Sequence, residues 1–506
     1  MKPGAVFFFF LLVIVCDAQE IIVKTGNGAV EGITTMDKSV RIFKGIPFAQ
    51  PPVGSLRWKA PQAVENWSGT KKCVSFSASP MQSTPKPFLC WTEEFIAQPE
   101  PLSEDCLYLN IWTASKSSEK KPVFVWIYGG GLVSGSANCA IYDGEEMARK
   151  GVVFVSVNYR VGVFGFMAHP ELSAESGYHA SGNYGFLDQM EALKWIQKNI
   201  SAFGGDPKNV TIAGQSAGAF SVNVLVASSL SKGLFHKAVL QSGGLLSNRL
   251  TQNLEQSEKQ GLTFMQKANV NSLAELRKKS AEEIQAVSGS DVGRFGVTLD
   301  GYVLPANLME HFQKGLHNQV PMMAGWVTGD GALFGPPNTT AEKFKSEALT
   351  KYGKDAEVFL KLFPASTDDE AKASQTALTL FNFAGLPSHL LAGFTKKDTY
   401  IYQFAHVPPD KPDFPNYGAF HTSEVPYSLH TLHTWNRSWQ KIDRDIENTM
   451  CSYWVNFARS GNPNGTSLPS WKKYDKQSGD IMVLGDEIIL QKGLFKNQFD
   501  FLETHP

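Results

Sequence analysis

Residues 214–218 read Gly214-Gln215-Ser216-Ala217-Gly218, a serine with a glycine two positions away on each side. A serine hydroxyl is a weak nucleophile until a base takes its proton, and acyl transfer is the chemistry such a pair performs. The spacing alone is a loose signal, and the flanks carry more. NVTIAG (209–214) reads as a strand and AGAFSVNVLVAS (217–228) as the start of a helix. Ser216 then falls on a tight strand-to-helix turn, which needs small neighbours because the backbone crowds the nucleophile. Such a turn exposes the hydroxyl at the carboxyl end of a sheet. It also sets Ser216 at a helix N-terminus, where free amides and the dipole favour negative charge. The alternative, a serine capping a buried helix, does not account for the Phe-Gly-Gly run, strand and turn that follow one another over 203–218.

A second group of residues suits the same chemistry. Tyr128-Gly129-Gly130-Gly131 follows an apolar strand. Glycine lets a backbone N–H face a reacting oxygen with no side chain in the way. A phosphate-binding loop would need a following Lys-Ser/Thr, which is absent here. The residue after the nucleophile, Ala217, is a further N–H donor in turns of this kind. The base is sought among eleven histidines, most of them surface or structural. The chain order serine, acid, histidine favours the later ones.

These residues need a scaffold, and the sequence describes one. IIVKTGNGAVEG (21–32) reads as a hairpin. Strands follow at 107–112, 122–128, 151–159, 209–214 and 237–243, apolar almost throughout, as expected when both faces are covered. Between them, Leu187, Met190, Leu193, Ile196 and Ile200 recur at helical spacing, and Gly204-Gly205-Asp206-Pro207 ends that helix. Strand-helix-strand repetition predicts an α/β fold with a mostly parallel sheet and helices on both faces. Residues 253–395 read as a helical region over the sheet, with 272–287 as one helical pattern. Strands return at 399–407 and 480–491. No repeat or linker divides the chain.

The stretch 203–218 strongly resembles the signature of type-B carboxylesterases, the family of cholinesterases, bile-salt-activated lipase and bacterial nitrobenzyl esterases. EDCLYLNIW (104–112) resembles the family's second signature. FKGIPFAQPPVGSLRW (43–58), YGGGLVSGS (128–136), VNYRVGVFGF (157–166) and GNYGFLDQ (182–189) resemble family blocks in family order, closer in flavour to bacterial members. The resemblance implies the α/β-hydrolase fold and serine ester hydrolysis through an acyl-enzyme, with no metal or cofactor. It implies His421, in YGAFHTSEVPY (417–427), as the base, with His430 and His433 as runners-up. It implies Asp330, in AGWVTGDGALF (324–334), as the orienting acid, where the family more often carries Glu. Asp is one methylene shorter, so the backbone must approach His421 more closely. The competing acid, Asp300, resembles a structural turn. Gly130 and Gly131 are implied as oxyanion donors beside Ala217. Ion pairs Arg57–Glu104 and Arg160–Asp188 are also implied. So is a disulfide from Cys106 to Cys90 or Cys73, with a lean to Cys90.

Substrate choice rests on fewer residues. Gln215 stands where cholinesterases carry Glu, and a neutral amide does not hold a cationic alcohol. Leu132 stands where many members have Phe. Trp91 lines the pocket or simply packs. The expectation is a neutral, moderately hydrophobic small-molecule ester. The alternatives are a lipase acting on long-chain esters, or a non-catalytic binding or adhesion relative.

The remaining features set the context. Of 506 residues, 42% are hydrophobic and 19% charged, with net charge −1, which gives no basic surface for nucleic acid. Lys2, the apolar run 7–15 and Ala18 predict a secretory signal cut after Ala18. That leaves 19–506 as one domain, secreted or periplasmic. The run is too short to span a bilayer and no later run reaches that length, so stable membrane insertion is not expected.

Overall fold

The main sheet is built from β1 (Ile21–Lys24), β2 (Ala29–Thr34), β3 (Arg41–Pro47), β4 (Tyr108–Thr113), β5 (Lys121–Ile127), β6 (Val153–Val157), β7 (Gly205–Gln215), β8 (Lys237–Gln241), β9 (Met322–Val327), β10 (Thr399–Phe404), β11 (Ile481–Leu484) and β12 (Ile488–Gln491). Its central strands β6, β8, β9 and β10 are buried at every position, while the edge strands β1 and β12 are largely open. The structure is a computed structural model. It describes residues 21–505 apart from 247–250, 289–291, 333–334, 336 and 412–414. The segment read as a secretory signal lies outside the described residues.

The strands form one sheet in the order β1-β2-β3-β4-β6-β5-β7-β8-β9-β10-β11-β12, and Thr70–Lys72 adds to β2. From β6 to β11 every pairing is parallel. The two ends are antiparallel. A parallel sheet puts the exits of all its strands on one edge, and ligands bind outside that edge. Here the exits of β5, β7, β9 and β10 lead to Tyr128, Ser216, Thr328 and the segment before His421.

The helix read from 186–200 runs from Tyr184 to Asn199 (α1) and buries Met190, Leu193 and Ile196. A short 3₁₀ turn extends it to Phe203, where Gly204 closes it in the left-handed conformation (φ 85°). The helix after Ser216, Ala217–Ala227 (α2), is buried at every position, so its apolar residues show no preferred face. The pattern over 272–287 is two helices rather than one: Leu273–Lys278 (α3) and Ala281–Val287 (α4). Ser280 accepts the Glu283 N–H and Glu283 reaches back to Ser280, a capping box that starts a new helix where a continuous one was expected.

Asp368–Leu380 (α5), a π-turn at Phe381–Gly385 and Leu386–Phe394 (α6) run on without a break. Contrary to the sequence reading, this run is long and apolar enough to cross a bilayer, by length and composition. Two-thirds of its apolar window is buried inside the protein, the pattern of a core helix. Both implied ion pairs form and are buried: Arg57 Nη2 to Glu104 Oε2 at 2.5 Å, and Arg160 Nη2 to Asp188 Oδ1 at 2.6 Å.

Among the described residues the implied disulfide is absent. Cys73, Cys90, Cys106, Cys139 and Cys451 are all free, buried thiols. Each sits in its own surroundings. Cys106 is sealed in beside Asp188 and Arg160, Cys73 donates weakly to the Gly45 carbonyl at 3.8 Å, and Cys90 lies in the Phe88–Trp91 turn. Burial pushes the Cys90 thiol up to about 12 and Cys73 to about 11, which makes them inert.

Candidate active site

Ser216 follows β7 with φ 58° and ψ −122°, a backbone conformation that non-glycine residues rarely adopt. Its neighbours show what holds it there. A Cβ on Gly218 would run into the Ile127 carbonyl oxygen and lie 3.0 Å from the carbonyl carbons of Ile127 and Tyr128. A Cβ on Gly214 would lie 2.5 Å from the Gly218 carbonyl and 2.7 Å from the Ile127 oxygen. The two glycines of the motif thus let the turn close against the end of β5. The Ser216 N–H donates to the Gln241 carbonyl at 2.8 Å, tying the turn to β8 as well.

The same closeness places the glycine loop. Gly129 approaches Ser216 so nearly that a Cβ there would sit 3.1 Å from Ser216 Cβ. Gly130 (φ 107°), Gly131 (φ 63°) and Leu132 (φ 64°) follow, all with positive φ. Among the described residues, the N–H groups of Gly130, Gly131 and Ala217 have no hydrogen-bond acceptor. Free amides beside a nucleophile form a hole for an oxyanion. Leu132 itself is buried, 4% exposed, and its carbonyl accepts the Gly162 N–H at 2.7 Å.

His421 and Asp330 come from the next exits of the sheet. Asp330 is fully buried. Its Oδ1 accepts from His421 Nδ1 at 2.6 Å and its Oδ2 from the Val327 N–H at 3.1 Å. With Nδ1 donating, Nε2 carries the imidazole lone pair. Gln215 Nε2 lies 3.1 Å from it and is the donor that this tautomer accepts. The two loops that carry the pair lie in direct contact. The Gly329 N–H donates to the Ala419 carbonyl at 2.9 Å, and a Cβ on Gly329 would sit 3.1 Å from Phe420 Cα. The other candidates go elsewhere. Asp300 accepts from the amides of Tyr302, Val303 and Leu304, a turn. His430 contacts Asn448 at 3.0 Å, and His433 is exposed.

Two aromatic rings border the imidazole. Trp91 stands edge-on at 6.3 Å and donates its indole N–H to Thr422 Oγ1 at 3.1 Å. Phe383 stands at 5.6 Å from the other α/β connection, on the π-turn between α5 and α6. Nothing in the sequence reading singled out Phe383. A π-turn inside a long helix is a frequent mark of a functional position, but it shows in no local residue pattern here. Glu424, three residues after His421, is also buried. Burial and then the charge of Asp330 push its carboxyl up to about 8, which favours its protonated form at neutral pH. Among the described residues no cluster of three metal-ligating side chains occurs.

A nucleophile turn, a free amide hole and a histidine held by a buried acid on one edge of a parallel sheet define a serine hydrolase of the α/β-hydrolase class. The family model described as "Carboxylesterase family" matches residues 19–502, and the chain belongs to that family. The fumonisin B1 esterase of Sphingopyxis macrogoltabida is 34% identical, over 94% of this chain and 89% of its own length. The para-nitrobenzyl esterase of Bacillus subtilis is 33% identical over 93% and 96%. A solved PNB esterase structure superposes with a TM-score of 0.81 at 30% identity, covering 94% of this chain and 99% of that one. The chain is accordingly a serine carboxylic ester hydrolase.

Proposed function

We propose that Ser216, His421 and Asp330 carry out the hydrolysis, with Gly130, Gly131 and Ala217 as the oxyanion donors. The observation that carries this reading is the buried 2.6 Å contact between His421 Nδ1 and Asp330 Oδ1, on the sheet edge where Ser216 is held in its strained turn. Nε2 of His421, freed from Gln215 when substrate enters, takes the Ser216 proton as Oγ attacks the ester carbonyl. The carbonyl oxygen becomes negative beside the three amides, each contributing about 2–4 kcal/mol to the transition state. The C–O bond to the alcohol breaks, His421 returns the proton to the leaving oxygen, and the acyl group stays on Ser216. Water then attacks that acyl group by the same route, releasing the acid and restoring the serine.

The preferred ester has a neutral, moderately hydrophobic alcohol. Gln215 supplies no charge for a cationic one, and Trp91 and Phe383 offer apolar edges beside His421, the group that protonates the leaving oxygen. Nitrophenyl esters from acetate to palmitate, with Ser216→Ala beside wild type, test the reading. Serine-dependent turnover that falls off beyond short chains is expected. Persistence on long chains moves the assignment to a lipase, and no serine-dependent turnover overturns it.

Export belongs to the same proposal. N-terminal sequencing of protein recovered outside the producing cell is expected to begin at Gln19. Unreduced peptide maps of that material decide whether Cys106 pairs with Cys90 or Cys73 on export or remains a thiol.

A further inference from the structure

The loop that leads into Asp300 carries a cation that the hydrolytic mechanism does not use. Val292 and Phe295 are buried at 7% and 4%, and Phe295 packs edge-on against Phe264 at 5.7 Å. The Val292 carbonyl also accepts from Gln260 at 3.1 Å. Between these two anchors stands Arg294, and its guanidinium reaches the glycine loop. A Cβ on Gly131 would overlap Arg294 Nη2 and lie 2.7 Å from Cζ and 3.4 Å from Nη1. The guanidinium therefore occupies the face of Gly131 that any side chain would fill, beside the amides facing the reacting oxygen.

Among the described residues no carboxylate pairs with Arg294, and none influences its titration. It is exposed, while the packing around it lowers its pKa below the usual guanidinium value by desolvation. A guanidinium at the edge of a reaction site, with no carboxylate on it among the described residues, has one favoured chemical partner, a carboxylate or similar planar anion bound through two N–H groups.

Its position assigns that anion to one half of the substrate. The tetrahedral carbon on Ser216 has three other substituents. The oxyanion faces the amides of Gly130, Gly131 and Ala217. The leaving oxygen faces His421, whose surroundings are Asp330, Gln215, Trp91 and Phe383. Arg294 is not among them. The acyl chain takes the remaining direction, past the outer face of the glycine loop. We propose that Arg294 binds a carboxylate carried on the acyl half of the ester, so that the preferred substrates are half-esters of dicarboxylic or higher acids with a neutral alcohol. The inference rests on the ester-hydrolase reading above and departs from the expectation of a wholly neutral ester.

The test compares monophenyl glutarate with phenyl valerate. The two acyl chains are equally long and end in a carboxylate and a methyl group. Rates are taken above the Ser216→Ala background. Wild type is expected to favour the glutarate ester in kcat/KM. The ratio of the two kcat/KM values is expected to fall roughly 10- to 100-fold in Arg294→Gln, with part of it retained in Arg294→Lys. A wild-type preference for phenyl valerate overturns the proposal, and this reading needs no variant to fold. So does an unchanged ratio with both esters slowed together, which would place the guanidinium on the oxyanion itself. If neither ester shows Ser216-dependent turnover, the hydrolase reading fails instead. Calorimetric titration of free glutarate then decides the site alone: binding lost in Arg294→Gln supports it, and equal or undetectable binding to both proteins overturns it.

Discussion

Asp330 meets His421 where two loops touch: the Gly329 N–H, one residue before Asp330, donates to the carbonyl of Ala419, two residues before His421, at 2.9 Å, and Oδ1 meets Nδ1 at 2.6 Å. Two substitutions read this arrangement from opposite sides. Asp330→Asn keeps the size but offers Nδ1 an uncharged partner and favours the wrong tautomer. Turnover is expected to fall roughly a thousand- to ten-thousand-fold, with the melting temperature little changed. Asp330→Glu keeps the charge but adds a methylene where Gly329 is already pressed on Ala419 and Phe420. A loss in kcat is therefore expected although Glu is common in the family. Full activity in Asp330→Glu would show that the loops separate freely.

Glu424 gives the fold a pH dependence with a defined sign. Its carboxyl is raised from 4.5 to about 8, first by burial and then by the charge of Asp330. The folded state holds this proton where the unfolded chain has lost it. The stabilising effect is therefore fully present below the ordinary glutamate value, declines as pH rises, and is gone once pH passes about 8. Glu424→Gln removes that decline. Unfolding free energies from denaturant titration at about pH 5 and pH 9 are expected to fall more for wild type than for the variant, by a difference on the order of a few kcal/mol. Parallel pH dependence in the two proteins would mean that Glu424 ionises normally.

Much of this site is legible in the sequence, for a physical reason. β5, β7 and β8 are buried along most of their length, so their apolar runs mark them, whereas β9, which leads to Asp330 and is equally buried, lies inside the stretch that reads as helical cover. Ser216 and the glycine loop follow from that geometry almost directly. Other relationships depend on where long connections settle, and no local periodicity encodes that. Arg294 lies against Gly131 across a stretch of chain that reads only as helical cover. Phe383 reaches His421 from a π-turn inside what reads as plain helix. Gln215 reads as a neutral pocket residue, but its amide lies on the imidazole of a residue 206 positions away. The cysteines show the opposite failure: an odd set of thiols behind an N-terminus that reads as an export signal suggests a bridge, yet in the fold all five described cysteines are buried, free thiols.

The glycines of the serine motif make a local prediction. Gly218 lies against the backbone of Ile127 and Tyr128, which has no side chain to move aside. Gly218→Ala is expected to cost about 1–3 kcal/mol of stability through overpacking. The strain also displaces Tyr128 and the loop that follows it from Ser216, so kcat is expected to fall further than KM rises. Steady-state kinetics and thermal melting on one preparation check both. Unchanged kcat would show that the oxyanion amides are positioned independently of the turn.

Gln215 and His421 make the sharpest test of the resting site. The amide nitrogen of Gln215 lies 3.1 Å from Nε2, the atom that must accept the Ser216 proton. Gln215→Glu puts a carboxylate there. A nearby negative charge stabilises the imidazolium, so His421 holds its proton to higher pH and is a competent base only above it. The acid limb of the kcat/KM profile is expected to move upward by about one pH unit or more. The same carboxylate favours a cationic alcohol, so choline esters are expected to gain on matched neutral esters while activity at low pH falls. Both effects come from one charge beside one nitrogen and should appear together. A gain on choline esters with an unmoved acid limb would place the side chain in the alcohol pocket but away from the imidazole. An unmoved limb with no gain would remove Gln215 from the site.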